Sequence, residues 1–193
     1  LVNAQRGGRL REFSSQWDGG HWNARHVCDG MWGARNPGTG WCAGSQVKPP
    51  HWFVFDFGGQ TRKLDRVVVY NTSQSNEARS KEIEILTSGA DGEFKSAGKF
   101  TLAQNDERQE FKFGPVEARR VKFVILSNYG HGSETQLGEI EFYGPGDVEG
   151  LFGLRHWMQG LDGPRVEALA PKHWIVSGQS TGRADSWPGW ESG

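Results

Sequence analysis

Hydrophobic positions between residues 51 and 144 fall into short runs that turn residues separate, and no segment before residue 145 has the period of a helix. Runs rich in β-branched and aromatic residues, typical of strands, occupy 51–58, 64–71 and 120–128. Three others, 81–86, 109–113 and 138–144, alternate strictly, which predicts one face in the core and Glu and Lys in water. The predicted core-facing residues are Ile83, Ile85, Phe111, Phe113, Ile140 and Phe142. Asp91-Gly92 predicts a hairpin turn, and the whole pattern predicts an all-β, antiparallel β-sandwich.

The chain changes character after Tyr143. Residues 146–193 carry four Trp and many Gly and Pro, an apolar content unlike that of a flexible linker. We therefore expect a sandwich domain over 1–145. The Trp/Gly-rich C-terminal extension, 146–193, is expected to pack on it or to begin a second module, with a short helix at 148–158 and a short strand at 173–177.

Composition does not point to a nucleic acid or membrane partner. The 193 residues carry a net charge of -1, so no field of one sign points to nucleic acid or to an anionic membrane. No apolar run approaches the length of a transmembrane helix, and the first residues have no signal-peptide pattern.

Catalytic motifs are weak. Gly178-Gln179-Ser180-Thr181-Gly182 matches the nucleophile elbow of hydrolases, but that mechanism needs a helix after the Ser and a His beyond it, and no His follows Ser180. The acid pairs Glu82/Glu84 and Glu139/Glu141 lie on alternating strands, where carboxylates usually face water. We expect no enzymatic activity.

Cys28 and Cys42, the two cysteines of the chain, enclose a loop. We predict a disulfide, which would contribute about 3 kcal/mol by restricting the unfolded chain and would indicate an oxidising compartment. Two buried free thiols are the alternative. A zinc site that adds His21 and His26 has spacings that match no standard finger.

The enclosed loop, 26–41, places Asp29 near one end and Thr39 near the other, among Gly and Pro. Calcium takes six to eight oxygens from carboxylates, hydroxyls and carbonyls, and a tight loop can direct carbonyls inward. Composition alone favours a plainer interpretation, an Asp-Gly turn capped by a hydroxyl.

A succession of motifs favours the calcium site over the plain Asp-Gly turn. "WNARHVCDG", "TGW", "PHWFVFDFGG", "LDRVVVYN", "ARSKEIEIL" and "LGEIEFYG" together resemble the discoidin family over about residues 4–144. That family includes the C-type domains of coagulation factors V and VIII and the family 32 carbohydrate-binding modules. The resemblance implies a galactose-binding-domain-like jelly roll of eight strands, often with a structural Ca²⁺. The family's calcium ligands fall on Asp29, Thr39 and Glu139, although the family usually has five residues from Asp to Thr and this chain has ten.

In sugar-binding members the ligand lies on loops at one end of the sandwich, where a ring stacks on the sugar and polar groups bond its hydroxyls. The candidates are Trp17, His21 and Trp22 in loop 15–23, Asn76 and Arg79 in loop 71–79, and Tyr129 and His131 in loop 127–136. Such relatives commonly carry an Arg a few residues before the Asn of the middle loop, and this chain has Asn71 or Thr72 there.

These features predict a non-catalytic carbohydrate-binding module of a secreted, periplasmic or cell-surface protein. A protein- or membrane-adhesion domain is the alternative, because loop tips with Trp17, Trp22 and Trp32 beside Arg25 and Arg35 could enter a lipid surface. A structural domain of a larger envelope protein is the third hypothesis.

Overall fold

The structure, a computed structural model, describes residues 8–17, 21–31 and 40–147. Within these residues the chain forms one 3-10 helix, Ala24–Cys28, and ten strands. The strands are β1 (Arg9–Phe13), β2 (Trp41–Cys42), β3 (His51–Asp56), β4 (Arg62–Tyr70), β5 (Glu82–Ser88), β6 (Phe94–Thr101), β7 (Arg108–Ala118), β8 (Arg120–Ile125), β9 (Gln136–Leu137) and β10 (Glu139–Tyr143).

Eight of the strands form two antiparallel sheets. One sheet has the order β1-β3-β8-β5-β6 and the other the order β10-β4-β7, while the short strands β2 and β9 pair with each other. The six predicted strands correspond to β3, β4, β5, β7, β8 and β10. The predicted antiparallel sandwich is confirmed.

The core lies between the two sheets and is mostly aromatic. Phe53 and Phe55 of β3 and Phe123 of β8 are fully buried, and Trp41 packs edge-on against Phe53 at 4.9 Å between ring centroids. The predicted core positions Ile83, Ile85, Ile140 and Phe142 are buried as well, together with Phe113, while Phe111 is half-buried. Alternation along the strands therefore identified the core correctly.

The predicted hairpin joins β5 to β6. Ser88 pairs with Phe94, and the turn between them contains Gly92 at φ +84°, a left-handed conformation that glycine adopts without strain. The Asp91 carboxylate accepts from the backbone N–H of Glu93 at 3.3 Å, which fixes the turn. The Asp-Gly signal is confirmed.

One part of the alternation rule was wrong. Glu139 and Glu141 were predicted to face water, yet they are 0% and 3% exposed. The 3-10 helix and the residues after it cover the outer side of β10, and Gly30 donates its N–H to Glu139 Oε1 at 3.0 Å. The Glu141 carboxylate accepts from the Tyr143 hydroxyl at 2.7 Å.

The chain divides into two units, Leu1–Asp147 and Val148–Gly193. The second unit, which holds the predicted helix, strand and Ser180 motif of the extension, lies outside the described residues, so those expectations stay predictions. Among the residues described, no helix has the length and apolar character needed to cross a membrane.

Candidate functional site

The middle and last candidate loops meet at one end of the sandwich around Gln136, which is 3% exposed. Its side-chain oxygen accepts from the backbone N–H of Gln74 at 2.9 Å and from the Ser73 hydroxyl at 2.7 Å. Its own backbone N–H donates to Ala78 O at 2.7 Å. Gln136 therefore fixes loop 71–79 against β9, directly beside loop 127–136.

The first candidate loop joins the same end through β2. The backbone N–H of Trp17 donates to Cys42 O at 2.9 Å, and the backbone N–H of Cys42 donates to Trp22 O at 3.3 Å. Cys42 in turn pairs with Gln136 across the β2–β9 ladder. Three loops distant in sequence thus share one scaffold, as the sequence predicted.

The turn at His131 is held from both sides. The backbone N–H of His131 donates to Glu77 O at 3.0 Å, which ties the last loop to the middle one. Its ring Nδ1 accepts from the backbone N–H of Glu134 at 3.0 Å. Nδ1 is therefore the acceptor nitrogen of the ring, which leaves Nε2–H without a partner among the described residues and available to donate.

Three of the seven predicted contacts serve the scaffold. Trp22 is 9% exposed and lies against Gly40, and Arg79 is 2% exposed. The half-buried Tyr129 donates its hydroxyl to Leu102 O. The other four offer their side chains at the surface: Trp17 and His131 are half-buried, and His21 and Asn76 are exposed.

Arg79 is the centre of a buried polar network. Its Nη1 donates to Asn71 O and to the Asp106 carboxylate, and its Nε donates to Asn76 Oδ1 at 3.4 Å. Asn71 Nδ2 donates to Ser80 O at 2.8 Å and to Ala103 O at 3.0 Å. Asn71 is therefore an internal brace for the loop.

The membrane-adhesion alternative depends on aromatic loop tips. Trp22 is buried, which removes it from that set, while Trp17 and the exposed Arg25 remain at the surface. Trp32 and Arg35 lie outside the described residues. The described residues thus offer one of the three Trp of that hypothesis.

The predicted calcium ligands lie at the 3-10 helix and β10. Glu139 is fully buried, its Oε1 accepts from Gly30 N–H, and its Oε2 has no hydrogen-bond donor among the described residues. Burial, with the charges of Asp29 and Glu141, raises the Glu139 pKa well above its ordinary value. An orphaned, buried carboxylate oxygen beside a second carboxylate fits the donors that calcium prefers.

Asp29 itself is engaged locally. Its Oδ1 accepts from Met31 N–H at 2.9 Å, and its Oδ2 lies 2.7 Å from His26 Nδ1. Both carboxylate oxygens therefore already have partners, as in the plainer interpretation of an Asp-Gly turn. Thr39, the third predicted ligand, lies outside the described residues.

Both cysteines are free thiols, so the predicted disulfide is corrected. Cys28 Sγ lies 3.6 Å from Arg25 O within the turn of the 3-10 helix, whereas Cys42 Sγ lies 3.8 Å from Gln136 Nε2. Burial raises their pKa values to about 12 and about 11, with nearby carboxylates adding to both effects. Among the described residues no three or more His, Cys, Asp or Glu are placed to hold a metal ion, so the zinc alternative gains no support.

The site also contains residues that sequence reasoning missed. Gln136 organises the loops, and its Nε2 donates to the half-buried Glu134 carboxylate at 3.1 Å. Neither residue stood in a motif. The one available signal was the position of Gln136 between a polar loop and an alternating strand.

Comparisons with known proteins agree with this architecture. Similar solved structures include the family 32 carbohydrate-binding module of NanJ from Clostridium perfringens in complex with galactose (18% identity, 72% of this chain and 94% of that chain, TM-score 0.59). CpGH89CBM32-5 from Clostridium perfringens, in complex with GalNAc-β-1,3-galactose, is similar at 17% identity, 72% and 96% coverage, and a TM-score of 0.60. A putative chitobiase fragment from Bacteroides thetaiotaomicron is 25% identical, with 72% and 89% coverage and a TM-score of 0.59.

No curated protein sequence matches the chain significantly. The family model described as F5/8 type C domain matches residues 12–140. Because this match spans both sheets and all three loops, the resemblance inferred from the motifs is confirmed, and the chain belongs to the F5/8 type C domain family.

Proposed function

We propose that this chain is a non-catalytic carbohydrate-binding module that holds its sugar at the loop end. The observation that carries the proposal is the convergence of three loops on Gln136, which brings Trp17, His21, Asn76 and His131 to one end of the fold. Two structural neighbours, at 18% and 17% identity, hold galactose and a GalNAc-galactose disaccharide.

The four surface residues supply the chemistry that a sugar requires. The Trp17 ring can cover the apolar face of a pyranose, and His131 Nε2–H and the Asn76 amide can bond its hydroxyls. So few groups form a shallow site, and we expect dissociation constants of about 0.1–1 mM, or about 4–5.5 kcal/mol.

The test is titration of the full chain with galactose and GalNAc-β-1,3-galactose, followed by a broader glycan panel. Trp17→Ala is expected to cost about 1–3 kcal/mol of binding through loss of the stacking ring, and Asn76→Ala about 0.5–1.5 kcal/mol. Lys63→Ala, on β4 at the opposite end, is the matched control and should bind as the parent does. Unchanged binding by Trp17→Ala, Asn76→Ala and His131→Ala, all folded, would place the site elsewhere.

We also propose that Ca²⁺ stabilises the loop beside β10, with Glu139, Asp29 and Thr39 as its side-chain ligands. The orphaned Glu139 oxygen supports this, because a buried carboxylate without a full set of partners is costly. Bound calcium would neutralise the carboxylates of Glu139 and Asp29 and would organise the loop that runs from Asp29 to Thr39.

Thermal unfolding with calcium and with chelator tests the metal. A ligand that binds only the folded state raises stability by mass action, so the melting temperature of the parent should rise with calcium. Glu139→Gln should abolish the rise, whereas the exposed Glu117→Gln should preserve it. No calcium effect on the parent, with no metal in the purified protein, would contradict the proposal.

The proposed sugar site also bears on where the protein is located in the cell and on the alternative functions. A module for extracellular glycans belongs in a secreted, periplasmic or cell-surface protein, and recovery of the native protein from these fractions tests that. Protein or lipid adhesion at Trp17 and Arg25 is the second candidate. Sedimentation with anionic vesicles in the absence of glycan binding would favour it.

A further inference from the structure

The outer face of the five-stranded sheet is unusually apolar at its centre. On β8 Val121, Phe123 and Ile125 are buried in the core, so the alternate residues Arg120, Lys122 and Val124 point away from it. The strand registers place Trp52 and Glu84 on either side of Val124, and Val54 and Leu86 on either side of Lys122. The solvated face of an antiparallel sheet is normally polar, and this one has an apolar band across three strands.

Two cations lie over rings on this face. Lys122 Nζ is 4.5 Å from the ring centroid of Trp52 and 6.0 Å from that of Phe94, and Arg120 Cζ is 5.2 Å from the Phe94 centroid. We name Trp52, Phe94, Arg120 and Lys122 the sheet-face patch. Trp52 and Phe94 are both half-buried, and since both contact the same ammonium group, they are neighbours on the surface.

The patch has an unbalanced charge. Three other cations of this sheet lie near a carboxylate: Lys99 is 3.9 Å from Glu84, Arg11 is 3.5 Å from Asp56, and Lys95 is 3.6 Å from Asp91. Among the described residues neither Arg120 nor Lys122 has a carboxylate partner, and Arg120 Nη2 donates only to Gly92 O at 3.2 Å. The two cations of the patch therefore lie beside aromatic rings without an ion-pair partner in the described part of the chain.

We propose that the sheet-face patch is a second binding site, for an extended polysaccharide that carries carboxylates. The two rings would stack on the apolar faces of sugar units, and Lys122 and Arg120 would form charge-assisted hydrogen bonds with uronate groups. Because both rings contact the Lys122 ammonium group, this side chain already has little conformational freedom, and binding a ligand costs little further side-chain entropy. This site is independent of the proposed loop-end site, which lies beyond the ends of the strands.

Other macromolecules fit the patch less well. Insertion into a membrane uses apolar side chains that protrude at loop tips, whereas Trp52 and Phe94 are half-buried on a sheet. Nucleic acid binding depends on many phosphate contacts, and this chain has a net charge of -1 and only two cations in the patch. A linear acidic glycan matches both the rings and the small number of cations.

The experiment is affinity electrophoresis of the full chain in gels that contain polygalacturonate, with fully methyl-esterified polygalacturonate as the uncharged counterpart. Polygalacturonate should retard the parent, and the ester should bind at least about fivefold more weakly. Lys122→Met keeps the apolar stem and should weaken binding about five- to tenfold, Lys122→Arg should restore it, and Trp52→Ala should weaken it similarly. Lys99→Met removes the same charge from the same sheet at a paired position and should bind as the parent does.

Titration with galactose separates the two sites. Lys122→Met should leave neutral-sugar binding at the loop end unchanged, and His131→Ala should leave polygalacturonate binding unchanged. The proposal is overturned by equal retardation of the parent and Lys122→Met, by equal binding of the acid and its ester, or by loss of polygalacturonate binding in His131→Ala. Absence of any retardation of the folded parent also overturns it.

Discussion

The loop end and the sheet-face patch use polar groups in opposite ways. At the loop end Arg79, Asn71 and Gln136 are buried, and their hydrogen bonds shape the loops from inside. On the sheet face the strand ladders already satisfy the backbone, so Lys122 contributes little beyond its contacts with rings. The loop site thus depends on an internal polar scaffold, whereas the sheet site depends only on side chains in register.

The comparison predicts its largest effect at Arg79. Arg79→Met leaves Asn71 O and the partly exposed Asp106 carboxylate without their donor, so we expect a loss of about 3 kcal/mol of unfolding free energy. Denaturant unfolding measures it, with the exposed Arg119→Met as control, expected within about 0.5 kcal/mol of the parent. A loss below about 1 kcal/mol would show that the loop end does not depend on this network.

A second effect concerns His51, which opens β3 and contacts Trp41 of β2 edge-on at 5.3 Å between centroids. Both ring nitrogens are buried without hydrogen-bond partners among the described residues, and burial lowers the His51 pKa to about 4 from 6.5. The unfolded chain therefore binds this proton more tightly, and stability should fall by about 2–3 kcal/mol as pH drops from about 6.5 to about 4.

Because β2 and β3 serve both regions, acid should loosen the loop end and the sheet face together. Unfolding free energies of the parent and His51→Phe, measured between pH 7 and pH 4, test this. The Phe variant fills the same space without a titrating group and should lose less stability over that interval. Identical pH slopes in the two proteins would exclude His51 as the cause.

The smallest effect is expected at Lys122. Its cation–π contacts are worth about 0.5–1 kcal/mol at a partly exposed position, so Lys122→Met should change unfolding free energy by no more than that. Lys99→Met, which loses only an exposed ion pair, should change it by about as little. A loss above about 2 kcal/mol for Lys122→Met would make the patch a structural element and would erase the contrast with Arg79.

In the five-stranded sheet the sequence predicted the central strands but not the two edge strands. Strands β3, β8 and β5 carry alternating or continuous apolar residues, because the core covers one face of each. Strands β1 and β6, which the pattern did not predict, are the two edges of the five-stranded sheet. Edge strands can carry charged and small residues, which also discourage association between sheets, and β6 reads FKSAGKFT.

The meeting of the candidate loops could be predicted from the sequence, but the roles of their residues only in part. Family resemblance pointed to three loops, and the strand order brings these loops to one end of the sandwich. The burial of Arg79 depends on Asp106, and the burial of Glu139 depends on the 3-10 helix more than a hundred positions earlier. Periodicity within one segment carries no information about such distant partners. The sequence therefore could not distinguish a residue with an exposed side chain, such as Asn76, from a buried one, such as Arg79.

Gln136 has a consequence for how this domain can change. Its bonds to loop 71–79 include the Gln74 N–H and the Ala78 carbonyl, and Ser80 donates its N–H to Gln136 O at 3.2 Å. Backbone groups are common to nearly every amino acid, so the loop's anchoring does not depend on most of the side chains at its tip. Most tip residues can therefore be exchanged for others in directed evolution while the loop keeps its path, which makes the loop end a natural place to install new sugar preferences.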